Sequence, residues 1–189
     1  GNGNCLAESD VVKITFGPSP TVDAGPDQTA CANDANINLN GSVTVAGGGQ
    51  WSGGTGIFSP SNQALAATYT PTPAEIANGS VTLKLTSTLN GGCISVEDQM
   101  TITFTPAPTV DAGSDRPICK NNADILLNGS VTGASGGLWT GGNGTFSPNN
   151  TTLNATYTPS LGEILGGGVT LTLQTTGNGN CLPETDNVT

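Results

Sequence analysis

Residues 51–71 read WSGGTGIFSPSNQALAATYTP, and residues 139–159 read WTGGNGTFSPNNTTLNATYTP, the second stretch starting 88 positions after the first. The same offset carries Cys31 onto Cys119, Phe58 onto Phe146, Tyr69 onto Tyr157 and Cys93 onto Cys181, and it carries Cys5 onto Cys93. GNGNCL opens the chain at Gly1 and returns at Gly177, two offsets away, so the sequence begins and ends at one phase of the repeat. This predicts a slice of a longer array or a circularly phased subunit. A unit of this length exceeds the roughly 20 to 50 residues of a solenoid coil and fits a sandwich of about 100 residues. Each repeat is therefore read as a domain.

Within one repeat the period is two. In SVTLKLTST, Val81, Leu83 and Leu85 alternate with Thr82, Lys84 and Thr86, and DQMTITF repeats the pattern with Met100, Ile102 and Phe104. Such alternation marks strands with one buried face. TVDAG, INLNGSV, GQWSG, GIFSP and ALAATYTP supply further short strand signals, and the NGG at residues 90–92 predicts a hairpin turn. The expected fold is all-β: tandem immunoglobulin-like β-sandwich repeats of 88 residues. Residues 1–17 are expected to be the last strand of a preceding repeat, 18–106 one repeat, and 107–189 a second that lacks most of its last strand. Trp51, Trp139, Phe58, Phe146, Tyr69 and Tyr157 are the expected core, because only 4% of the residues are aromatic and burying each ring is worth a few kcal/mol, on the order of that of other large side chains.

Between TYTP and SVTL, Thr72, Pro73 and Glu75 have the spacing of a capping box with proline at the first helical position, and Ser160 with Glu163 repeats it. That accounts for two recurring glutamates without catalysis. Histidine is absent, and no serine or cysteine stands beside a plausible base, so the chain is not expected to be an enzyme. Its formal charge of −10 repels phosphate backbones and anionic bilayers, and no apolar run reaches the roughly 20 residues of a membrane span. No nucleic-acid partner and no membrane insertion are expected.

Five cysteines without a C-x-x-C pair read as disulfides, which implies an oxidising, extracellular location. In an immunoglobulin strand order Cys31 lies at the far pole of its repeat and Cys93 at the near pole. A strand of about 10 residues spans roughly 33 Å, whereas bridged Cα atoms lie within about 7 Å. This favours a bridge between repeats, Cys31 to Cys181. The alternative keeps each bridge within a repeat, Cys31 with Cys93 and Cys119 with Cys181. Asp23 and Asp27 recur as Asp111 and Asp115 beside Pro-rich joints, and Asp98 begins the last strand, making them candidate calcium ligands. The competing reading gives these aspartates turn hydrogen bonds.

Taken together, PTVDAGPDQTAC, WSGGTGIFSP, TYTPTPAEIANGSVTLKLTST and CISVEDQMTITF resemble the tandem repeats of giant gliding-motility adhesins, over essentially the whole chain and twice. Those are cell-surface proteins of Bacteroidota-type bacteria exported by type IX secretion. The resemblance implies a structural repeat of a long extracellular filament or stalk that projects an adhesive region and transmits force. Its partners would be neighbouring repeats, and an external surface or polysaccharide met through other regions. Two alternatives stand beside it: a pilus-like subunit that polymerises by strand donation, and a glycan-binding module.

Overall fold

In the computed structural model the described residues are Gly3 and 8–189. The first repeat runs through β1 (Thr21–Asp23), β2 (Gln28–Cys31), β3 (Ile37–Asn38), β4 (Ser42–Thr44), β5 (Gly48–Ser52), β6 (Ile57–Ser59), β7 (Thr68–Thr70), α1 (Pro73–Ala77), β8 (Ser80–Thr88) and β9 (Glu97–Thr105). The second supplies β10 (Thr109–Asp111), β11 (Ile125–Leu126), β12 (Ser130–Thr132), β13 (Gly136–Thr140), β14 (Thr145–Ser147), β15 (Thr156–Thr158), α2 (Leu161–Gly166), β16 (Leu171–Thr176) and β17 (Thr185–Val188). The fold is all-β and immunoglobulin-like. In the first repeat a four-stranded sheet ordered β2-β9-β8-β5 faces a three-stranded sheet β3-β7-β6, with β1 and β4 paired beside them.

Alternation places the core. Val81, Leu83 and Leu85 of β8 and Met100, Ile102 and Phe104 of β9 point inward, where they meet Trp51 and Tyr69. Trp139, Tyr157, Leu171 and Leu173 form a second, separate cluster. Both indoles are 0% exposed. Each stays buried because its N–H has a partner: Trp51 Nε1 donates to the Leu65 carbonyl and Trp139 Nε1 to that of Leu153. The Asn62 and Asn150 side chains donate to the tryptophan carbonyls and brace the returning loop. The doubled phrase is thus a doubled core with its own supports. Gly41 and Gly129 belong to it as well, since a Cβ there would stand 2.8 and 2.9 Å from the Cζ2 atoms of Trp51 and Trp139.

Two expectations change. Phe58 and Phe146 are only partly buried; each lies at the rim with its ring centroid 4.8 Å from Tyr69 or Tyr157 and tilted against it. NGG is not a tight hairpin, because the β8–β9 ladder ends at Thr86↔Glu97 and a longer loop intervenes. Buried hydroxyls hold that loop: Val96 N donates to Ser87 Oγ, and Glu184 N to Thr175 Oγ1 in the second copy.

The repeats differ at one edge. Residues 102–105 of β9 pair in parallel with β2, Gln28↔Ile102 through Cys31↔Thr105. Thr189 stands in phase with Thr101, and residues 116–119 form no strand. Residues 8–16, in phase with 96–104, likewise lie outside any strand.

Candidate functional site

The features that recur with polar chemistry are a Tyr–Glu cluster in each repeat and the joint between the repeats. In the cluster, Thr72 caps α1 as its side chain accepts from Glu75 N, while Glu75 Oε2 accepts from Thr72 N at 2.7 Å. Glu75 Oε1 takes two more donors, Thr55 N at 2.6 Å and the Tyr69 hydroxyl at 2.7 Å. Burial opposes charge on Glu75, but the Thr72 and Thr55 amides and the Tyr69 and Thr72 hydroxyls outweigh it and hold the carboxyl at about 2. Burial, together with the hydrogen bond to Glu75, pushes the Tyr69 hydroxyl up to about 12. Ser160, Asn143, Tyr157 and Glu163 repeat the arrangement, with Glu163 also held at about 2 against burial by the Asn143 and Ser160 amides. A carboxylate that accepts four hydrogen bonds is anchored in place. It ties α1 and β7 to the loop after β5 and leaves no free lone pair aimed at solvent for proton transfer.

The joint brings together what the sequence set far apart. Cys31, at the end of β2, is disulfide-bonded to Cys181 across 150 residues of sequence, with Cα atoms 5.0 Å apart. The far pole of the first repeat therefore meets the β16–β17 loop of the second. The Pro106 carbonyl oxygen lies 3.9 Å from Cys31 Sγ and 3.8 Å from Cys181 Sγ. Asn33 reads the loop backbone in both directions: its Nδ2 donates to Leu182 O at 3.1 Å and to Glu184 Oε1 at 2.7 Å, and its Oδ1 accepts from Leu182 N at 3.1 Å. Asn180 Nδ2 donates to Thr29 O. Cys93 and Cys119 are unpaired and exposed, and Cys5 lies outside the described residues.

The aspartates each make a backbone bond. Asp23 accepts from Gly25 N, Asp111 from Gly113 N, Asp27 from Thr101 N, Asp115 from Thr189 N and Asp98 from Ala24 N. The bond from Ala24, followed by one from Gln99, lowers the Asp98 carboxyl below its usual range. Among the described residues no three acidic or cysteine side chains converge as a cation would require. Trp51, Trp139, Tyr69 and Tyr157 are fully buried, so none of them offers a ring face to a sugar.

Asn33, Ser87 and Thr175 were not singled out in the sequence. The available signal was the recurrence of Asn33 as Asn121, two residues after each cysteine.

No family model matches the chain, and no curated protein matches it in sequence. Among solved structures it is similar to the insect immune protein hemolin, with 11% identity, a TM-score of 0.46, and coverage of 94% of this chain and 48% of that one. Drosophila N-cadherin EC1-4 follows with 12% identity, a TM-score of 0.41, and 90% and 48% coverage. Sidekick-1 immunoglobulin domains 1-4 give 11% identity, a TM-score of 0.38, and 90% and 48% coverage. The chain spans about half the length of each of these structures.

Proposed function

We propose that this chain is a tension-bearing stretch of a long extracellular filament or stalk, of the kind that gliding-motility adhesins build, in which repeats stack end to end and hold an adhesive region away from the cell. The observation that carries this reading is the disulfide across the joint. Because Cys31 and Cys181 bracket nearly all of both cores, tension applied at the chain ends passes through the sulfur–sulfur bond and bypasses the folded residues between them. A chain that works under load gains from such a bypass; a chain that works through a pocket does not need one. Prolines at the joints, Pro18 and Pro20 before the first repeat and Pro106 and Pro108 before the second, restrict backbone torsion there and support the same reading. The disulfide favours an oxidising compartment, and the charge of −10 fits contact with other repeats or a neutral surface better than with nucleic acid. Type IX export and gliding are carried by the sequence resemblance. Protease shaving of intact source cells tests the location: the expected result is release of peptides from this chain with Cys31 and Cys181 still linked. Recovery only from the cell interior, with both thiols reduced, would overturn it.

A further inference from the structure

We propose that the turn after β2, Cys31–Asp34, recognises a partner repeat by one loop sequence, Asn-Cys-Leu-x-Glu, and that Asn33 thereby determines which cysteine Cys31 joins. This rests on the reading of repeats stacked end to end and adds that the stack carries an address.

The turn is built to hold Asn33 outward. Asp34 N donates to Cys31 O at 3.0 Å and Ala32 N to Thr105 O at 2.9 Å, so the backbone on both sides of Asn33 is fixed by the first repeat. The three hydrogen bonds of the Asn33 side chain all cross to the second repeat. Two of them engage the N–H and C=O of Leu182, the exchange that opposed strand residues make. Pro183 helps to present that pair, because a residue before proline is turned away from helical backbone toward the extended form, whose N–H and C=O point to one side. Any residue at that place offers a backbone, so these two bonds hold the loop without identifying it.

Identity comes from two side chains. Glu184 Oε1 accepts the other Asn33 Nδ2 hydrogen, and Asn180 Nδ2 donates to Thr29 O. The Glu184 backbone is anchored to β16 in both directions, its N–H donating to Thr175 Oγ1 and its carbonyl accepting from Thr175 N, each at 2.9 Å, so the carboxylate is delivered from a fixed point. The chain also contains the contrast. Residues 92–96, in phase with 180–184, read GCISV. Gly92 has no side chain to reach Thr29, Ser95 lifts the proline restriction from Ile94, and Val96 would set a methyl group against an Asn33 N–H and leave it unpaired. Residues 4–8 read NCLAE and restore both polar letters. The partner that this turn fits is therefore a repeat whose loop carries asparagine one position before its cysteine and glutamate three positions after it. A GCISV loop offers the cysteine without the address.

Closing the bridge converts two thiols to one S–S bond, and the two protons and two electrons pass to a low-molecular-weight disulfide such as oxidised glutathione, whose own S–S bond breaks to two thiols. Docking through Asn33 raises the effective concentration of Cys181 at Cys31 for that exchange.

The test equilibrates the 189-residue chain, with Cys5, Cys93 and Cys119 replaced by serine, against reduced and oxidised glutathione and measures the bridged fraction after acid quenching. Asn33→Ala should lower the thiol–disulfide equilibrium constant by on the order of tenfold or more, and Asn180→Gly/Glu184→Val, which writes the other loop's letters into this one, by about tenfold. In the Asn33→Ala background Glu184→Val should have almost no further effect, a coupling that damage to either repeat's own fold would not produce. With all five cysteines kept, Asn33→Ala should move Cys31 from Cys181 into pairs with the other cysteines, read by peptide mapping of the oxidised chain. Unchanged equilibrium constants in both variants would overturn the address, and so would a loss in Asn33→Ala alone, since backbone reading accepts any loop. The unsubstituted chain separates the two readings: a Cys31–Cys181 bridge beside unchanged constants removes the address alone, and absence of that bridge removes the stacking on which the address rests.

Discussion

Removing the bridge at the joint has a cost that can be worked from the length of chain it closes. With Cys31 and Cys181 separated by 150 positions, loop-closure entropy gives about 17 cal/mol/K, or about 5 kcal/mol near 25 °C, at the upper end for a single disulfide. The closed loop contains both cores, so this stabilisation is realised only when both repeats unfold. The bridged chain should lose its second repeat at a higher denaturant concentration than the unbridged one, and Cys31→Ser/Cys181→Ser should separate the two transitions. Guanidinium unfolding of that double variant, measured with Cys5, Cys93 and Cys119 replaced by serine in both proteins, gives the comparison without disulfide scrambling. A summed loss below about 1 kcal/mol would refute the view that the bridge ties two folded units together.

Trp51→Ala should destabilise by about 3–5 kcal/mol, with the loss confined to the first repeat, and Trp139→Ala should do the same in the second, as read from the separate unfolding transitions of the unbridged protein. Gly41→Ala should cost about 1–3 kcal/mol by pushing a methyl against Trp51 and Leu85, measured by the same transitions. Glu75 and Glu163 are held at about 2 from an ordinary 4.5, so below that ordinary value the unfolded chain binds more protons than the folded one; stability present above about pH 4.5 should fall as pH drops toward about 2. Glu75→Gln/Glu163→Gln should flatten that part of the pH–melting curve. Chelation of calcium should leave the melting temperature unchanged, since Asp23, Asp27, Asp98, Asp111 and Asp115 each serve a backbone N–H.

The strand alternation was legible because Val81, Leu83 and Leu85 leave no other face for burial, and the recurrence of Trp51 as Trp139 marks a recurring core. An immunoglobulin strand order favoured Cys31 with Cys181 but left open the pairing of Cys31 with Cys93 and Cys119 with Cys181, and the bridge formed is Cys31–Cys181. Depth was less legible than position. Phe58 and Phe146 recur as faithfully as the tryptophans but lie at the rim, because recurrence reports that a residue is kept at one phase and not how far it sits from solvent. NGG signalled a reversal but not its length, which is set by Ser87 holding Val96 several residues away. Asn33 escaped because its partners, Leu182 and Glu184, belong to the other repeat and become neighbours only once the poles meet. Spacing alone left the aspartates between turn hydrogen bonds and calcium, and it is the backbone amides opposite them that show what their oxygens contact.

Single-molecule extension of the chain pulled from its two ends, with and without a reducing agent, tests the load path directly. In the oxidised protein the stretch between Cys31 and Cys181, a separation of 150 positions, should stay out of the extension, and reduction should add about 50 nm, at roughly 3.5 Å per residue, in two rupture steps of similar length, one per repeat. Full extension of the oxidised chain, or a single rupture after reduction, would contradict an array of separately folded repeats stapled across their joint.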